Sequence, residues 1–198
     1  MMKQLITLLV ITALSGLSYA AVPGDKVQNF TLKDHLGKSH ELYSYADKDA
    51  VVLLVQGNGC PIARNAIHTY DDLQEKFKDK NVAFLMINSN LQDNQKSIAK
   101  EANEFKINFP ILVDDEQAVG VALRFERTAD AFVINPKNWM LEYRGALDDR
   151  LGYETQKFEA ANNYVADALT AVLASKPVKV TAVEAKGCLV NIPELTGG

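Results

Sequence analysis

Residues 51–55 read Val-Val-Leu-Leu-Val, an unbroken apolar run rich in β-branched side chains. Such a run predicts a strand buried on both faces of its sheet. No other feature constrains the fold as much, because a strand covered twice needs layers packed on either side of it. Gln56-Gly57-Asn58-Gly59 breaks the run at once, and Cys60 and Pro61 follow. Pro61 suits the first position of a helix, where its missing N–H would have no intrahelical partner anyway. Ile62, Ala66, Tyr70, Leu73 and Phe77 then recur at spacings of four, four, three and four, which gives one apolar helical stripe.

The rest of the chain alternates in the same way. Residues 30–34 pattern as a strand, His35-Leu36-Gly37-Lys38 as a turn, and residues 39–42 as the returning arm of a hairpin. Residues 82–87 predict a second buried strand, and Ile98, Ala102 and Phe105 mark a second helix. A short strand over 109–113 and a short helix over 118–125 come next. Strands over 131–134 and 140–143 are joined by the turn Asn135-Pro136-Lys137-Asn138. A last helix is expected over 157–174, with Pro177 as its stop signal. The order hairpin, β-α-β-α-β-α, then β-β-α predicts an α/β fold. Its central sheet is mixed but largely parallel, carries flanking helices and ends in an antiparallel edge.

Residues 1–20 read as an address rather than as part of this fold. Lys3 precedes the apolar run 5–14, and Ser18-Tyr19-Ala20 supplies small residues before a cut after Ala20. That is the layout of a secretory signal peptide, and the run is too short to span a bilayer. The alternative is an uncleaved anchor. Cleavage leaves 178 of the 198 residues. The expected destination is exported, periplasmic or extracellular, where a cysteine pair can oxidise. No stable membrane insertion of the mature chain is expected. Lys and Arg number 21 against 25 Asp and Glu, so no basic surplus exists for nucleic acid. The division is then 1–20 signal peptide, 21–176 one domain, and 177–198 a C-terminal arm.

Cys60 carries the chemistry. A sulfur at the start of a helix meets backbone N–H groups and the positive end of the helix dipole, which favour thiolate over thiol. Arg64, one turn on, is a candidate thiolate stabiliser. A thiolate attacks disulfides and peroxides. The competing readings are an inert buried cysteine and one half of a static disulfide.

The pattern strand–loop–Cys-Pro–helix resembles the thioredoxin-fold redoxins. It is most similar to their peroxiredoxin-like branch, the alkyl-hydroperoxide-reductase/thiol-specific-antioxidant type. The resemblance rests on Asn58-Gly59-Cys60-Pro61, Ile87-Asn88-Ser89-Asn90, Phe109-Pro110-Ile111-Leu112, Phe132-Val133-Ile134-Asn135-Pro136, Tyr143-Arg144-Gly145-Ala146-Leu147-Asp148-Asp149 and Lys186-Gly187-Cys188-Leu189. It implies a thioredoxin-like fold, Cys60 as attacking thiolate and Cys188 in the arm as resolving thiol. It also implies protein thiols and disulfides or a small hydroperoxide as substrates, an unidentified electron donor, and no cofactor.

The sequence departs from that branch in several places. Ala63 stands where thioredoxins have their second cysteine, and Gly57 where some relatives have one. The peroxiredoxin motif Pro-x-x-x-Thr/Ser-x-x-Cys meets Leu53 and Gly57 here. Ala129 occupies the place of the thioredoxin cis-proline and the peroxiredoxin arginine, so the Thr128–Ala129 bond is expected to be trans. Arg64 and Arg127 are candidate replacements for that arginine.

Three further readings compete with disulfide exchange. One is a hydroperoxide-reducing enzyme. The other two are a copper-binding module using thiolates and a histidine, and an interaction module with a structural disulfide. His68 is a solvated helix residue, eight positions from Cys60, and too far along the axis to act as its base. Asp148-Asp149-Arg150 is expected to be a solvated turn, with a carboxylate as a candidate proton shuttle. Trp139 is expected to pack beside its turn.

Overall fold

The computed structural model describes residues 21–153 and 157–196. The signal peptide expected over 1–20 lies outside the described residues. The elements are β1 (Thr31–Asp34), β2 (Ser39–Glu41), β3 (Ala50–Val55), α1 (Pro61–Lys76), β4 (Val82–Asn88), α2 (Gln95–Glu104) and β5 (Ile111–Val113). They continue with α3 (Ala118–Leu123), β6 (Ala131–Asn135), β7 (Met140–Gly145), α4 (Tyr164–Leu173), β8 (Ala182–Val183) and a single turn, α5 (Pro193–Thr196). The strands form one sheet in the order β2-β1-β5-β4-β3-β6-β7-β8. The β3/β4, β4/β5 and β7/β8 pairs are parallel, and the other neighbours are antiparallel.

The apolar run lies at the centre of the sheet, as its composition demands. Every residue of β3 is buried. Val52 and Leu54 pack with the α1 stripe, including Ala66, Tyr70 and Leu73. Val51, Leu53 and Val55 face the other way, toward Phe125, Phe132 and Leu141. Burying a side chain of this size contributes about 1.5–3 kcal/mol. Tyr70 is fully buried, and its hydroxyl sits 3.0 Å from the Val52 carbonyl and 2.8 Å from that of Leu85. It therefore ties α1 to both central strands. The α2 helix starts in a capping box, with Asn94 accepting from the Ser97 N–H and Ser97 from the Asn94 N–H.

Four expectations change. The sheet is mixed but not largely parallel, since β1/β2, β1/β5, β3/β6 and β6/β7 are antiparallel against three parallel pairs. Helix α4 begins at Tyr164 rather than at 157. The reason is Asp149, whose carboxylate accepts from the backbone N–H groups of Ala161 and Asn162 and pairs with Lys157. Those contacts hold the approach to the helix as a loop. The sheet also does not end at β7, because β8 adds a parallel strand. A Cβ on Gly145 would lie 1.8 Å from the Val183 carbonyl oxygen, so only glycine lets β8 in. Asp148, expected in a solvated turn, is buried and pairs with Arg150 at 2.6 Å. Trp139 stacks on Tyr43, with ring centroids 4.2 Å apart.

Candidate active site

Strand β3 delivers the loop Gln56-Gly57-Asn58-Gly59-Cys60 to one end of the sheet, and α1 leaves from it. Cys60 is the N-cap of α1, with the Ala63 N–H 3.5 Å from its Sγ. Cys60 is joined to Cys188 in a disulfide, with 6.1 Å between the Cα atoms and 128 residues between them in sequence. The structure thus brings together the two cysteines that the resemblance implied. Cys60 is only 4% exposed, while Cys188 is exposed.

A polar network braces the loop. The Asn58 N–H donates to Asp93 at 3.0 Å, and the Asn58 side chain bonds Gln56 and Ser97. Asn88 of β4 donates to both Gln56 and Asp93. Gly59, at φ +76°, donates its N–H to Glu101 of α2 at 3.1 Å. Glu101 in turn takes both arms of Arg64, Nε and Nη2, each at 2.9 Å. The Arg64 guanidinium also lies 3.9 Å over the Phe105 ring. Burial pushes the Glu101 carboxyl up, but the bonds from Arg64 and Gly59 outweigh it and its pKa is lowered. Arg64, the candidate thiolate stabiliser, therefore has a carboxylate partner that the sequence analysis did not name. Glu101 was visible in one respect: it falls on the buried side of α2 between Ile98 and Ala102, and a charge in an apolar stripe needs a partner.

The opposite wall is the segment between α3 and β6. Thr128 Oγ1 lies 3.0 Å from Cys60 Sγ and accepts from the Cys188 N–H at 3.0 Å. Ala129 follows at φ +60°, a left-handed geometry that costs an alanine about 1–2 kcal/mol. The bends on either side are pinned by the Ala129 N–H to the Val55 carbonyl and the Thr128 N–H to the Cys188 carbonyl. No cis peptide bond occurs among the described residues. Sequence reasoning passed over Thr128, because nothing in its spacing marks a residue brought in from a different strand connection.

The arm docks against this wall. Leu189 bridges Arg127, and the Val190 N–H donates to the Glu126 carbonyl. Arg127 donates to the Gly187 carbonyl at 3.2 Å and faces Glu184 at 3.8 Å. A Cβ on Gly187 would fall 1.7 Å from the Thr128 carbonyl oxygen, so the close approach requires glycine. Behind the arm, Arg144 pairs with Asp130 at 3.0 Å. Burial dominates there, and the Asp130 pKa is raised to about 6 despite Arg144. His68 is exposed. Asp148 and Asp149 serve Arg150 and the loop before α4, and no bond to Cys60 is found for either. Among the described residues, no group of three His, Cys, Asp or Glu side chains is placed to hold a metal ion. No described helix is long and apolar enough to cross a membrane.

Comparison with known proteins agrees with this fold. The AhpC/TSA family profile matches residues 23–149. A conserved uncharacterised protein from Geobacillus kaustophilus superposes with a TM-score of 0.76 at 26% identity, covering 87% of this chain and 93% of its own. Peroxidoxin BcpB from Mycobacterium tuberculosis gives a TM-score of 0.58 at 19% identity, over 78% of this chain and 97% of that one. A protein designated thiol:disulfide interchange protein DsbE, from Chlorobium tepidum, gives 0.62 at 16% identity, over 78% and 99%. The last two show the fold alone, which is thioredoxin-like. No curated protein matches the chain.

Proposed function

The chain belongs to the AhpC/TSA family, and from that premise we propose that it is an exported thiol–disulfide oxidoreductase working through Cys60 and Cys188. The observation that carries the reading is the Cys60–Cys188 bond, placed at the N-terminus of α1. In the forward reaction the Cys60 thiolate attacks a substrate disulfide. A mixed disulfide forms, and one substrate thiolate leaves. The Cys188 thiolate then attacks Cys60 Sγ, which closes the internal bond and releases the second substrate thiolate. The substrate gains two electrons and the protein dithiol loses them. Two donor thiols, or one donor dithiol, restore the protein dithiol. The first donor thiolate attacks the sulfur of Cys188, the exposed residue of the pair, and Cys60 leaves as thiolate. The second attacks the donor sulfur of that mixed disulfide, forms the donor disulfide and releases the Cys188 thiolate. In this reading Arg64 acts chiefly through Glu101, bracing the loop that presents Cys60. The leader-like residues 1–20 and the use of a disulfide support export.

Disulfide exchange is favoured over peroxide reduction because the fixed donors a peroxide needs are missing or engaged. Leu53, Gly57 and Ala129 stand where the branch has its proline, hydroxyl and arginine, and the hydroxyl that does reach the Cys60 sulfur, that of Thr128, is already engaged with it and with the Cys188 N–H. Arg64 is bound to Glu101 and Arg127 to the arm. Each preorganised donor of this kind is worth a factor of about 10²–10³. The test is stopped-flow mixing of reduced protein with hydrogen peroxide and with a small disulfide. Faster oxidation by the disulfide is expected. Peroxide consumption far above the rate of a free thiolate would make the hydroperoxide reductase the better reading.

A second reading is favoured by the arm itself. Hydrogen bonds hold it on both sides of Cys188, as a static structural disulfide would require. The two readings separate on the reduction potential of the pair.

A further inference from the structure

The side chain that meets the Cys60 sulfur comes from Thr128, not from the loop that precedes the cysteine. Thr128 is 1% exposed, and its Oγ1 has two contacts, Cys60 Sγ at 3.0 Å and the Cys188 N–H at 3.0 Å. A threonine hydroxyl carries one proton. The Cys188 N–H can only donate, and a disulfide sulfur has no proton to give, so the Thr128 O–H donates to Sγ.

The position three residues before Cys60 explains why the hydroxyl can come from there. A Cβ built on Gly57 would lie 2.6 Å from Thr128 Cγ2 and 2.5 Å from Asn90 Nδ2. Glycine at 57 is therefore the condition for Thr128 to reach the sulfur. The left-handed Ala129 follows directly, its N–H held by the Val55 carbonyl.

We propose that Thr128 is a catalytic residue of the exchange reaction, supplying through its hydroxyl the donor that stabilises the Cys60 thiolate. This rests on Cys60 being the nucleophile. When a donor thiolate attacks Cys188 Sγ, the Cys60–Cys188 bond breaks and its electron pair goes to Cys60 Sγ. The Thr128 O–H already points at that atom, so no reorganisation is needed as the charge arrives. A hydrogen bond to a charged acceptor is about twice as strong as a neutral one. The same contact serves the forward step, where it keeps Cys60 ionised for attack. The bond from the Cys188 N–H polarises the hydroxyl and makes it a better donor while the arm is docked.

The test uses the full chain with Cys188→Ser, so that only Cys60 is alkylated. Iodoacetamide rate against pH is measured with Thr128 intact and in the Thr128→Val, Thr128→Ala and Thr128→Ser variants. Loss of the hydroxyl in Thr128→Val is expected to move the midpoint upward and to slow alkylation below it by about tenfold. Thr128→Ala, which puts no methyl in place of the hydroxyl, must shift the same way, and Thr128→Ser must restore the parent profile. A merely structural threonine would not give back the midpoint through serine alone. An unchanged midpoint in both Thr128→Val and Thr128→Ala, with the parent still below a free thiol, would overturn the role of Thr128 and leave Cys60 as nucleophile. A parent midpoint equal to that of a free thiol would overturn the nucleophile reading itself.

Discussion

Cys60 and Cys188 share one bond but are held in opposite ways. Cys60 caps a 16-residue helix, is buried, and stands on a loop braced by side chains from β4 and α2. Cys188 is exposed on an arm that is bonded through its backbone to residues 126–128 and anchored on either side by strand β8 and by the buried Val190 and Ile192. The exposed Leu189 follows it. The first setting fixes a sulfur beside backbone N–H groups at a helix start, which favour its charge in the proposed reaction. The second places its cysteine at the surface. In the proposed reaction this contrast gives the bond a direction, with the donor entering at Cys188 and Cys60 as the leaving group.

Mapping the attack breaks or sharpens this contrast with the largest effect. Oxidised protein is treated with a monothiol while iodoacetamide captures the released sulfur. The mixed disulfide is expected on Cys188 and the label on Cys60. The reverse labelling would invert the assignment. In Cys60→Ser all exchange should fall to background, while Cys188→Ser should still make one attack and stall as a mixed disulfide.

A smaller effect is expected from Gly187→Ala. Its Cβ meets the backbone of Thr128, which no rotamer can clear, so overpacking should cost arm docking at least ~1–3 kcal/mol. Titration of free thiols during mild oxidation should show slower closure of the disulfide. Closure at the wild-type rate would mean that the docked arm is not needed to bring Cys188 to Cys60.

The smallest effect is on stability against pH, and it has opposite signs at the two ends. Glu101, behind Cys60, has a lowered pKa. Its contribution is present above the unfolded value and is lost as pH falls through the folded one. Asp130, behind the arm, is raised from 3.8 to about 6. Its contribution is complete below 3.8 and is lost as pH rises toward about 6. The stability of wild type relative to Asp130→Asn should therefore decline across that window. The difference from Glu101→Gln should grow as pH rises through the acid range. Thermal melts at a series of pH values would show it, and parallel slopes would remove the distinction between the two pairs.

The halves of the molecule also differed in how readable they were. The central strand and α1 were legible because burial on two faces and a helical stripe each leave a periodic mark, as in residues 51–55 and in Ile62, Ala66, Tyr70, Leu73 and Phe77. The pairing of Cys60 with Cys188 was legible from two cysteines behind an export-like leader and from the family resemblance, though not from any local pattern. Strand β8 was not legible, since two residues, Ala182 and Val183, are too few to show alternation. The start of α4 was misplaced because Asp149 competes for backbone N–H groups that spacing alone would give to the helix. Thr128, Glu101 and Gly187 act across the chain. Their roles depend on which segments meet, which a single sequence does not record.

The central claim is that the Cys60–Cys188 bond cycles. Its reduction potential, measured against glutathione on the purified full chain, tests that most directly. Stabilisation of the Cys60 thiolate favours the reduced form, so the potential should lie above about −300 mV. A value below that range would make the bond a structural tie for the arm and contradict the account.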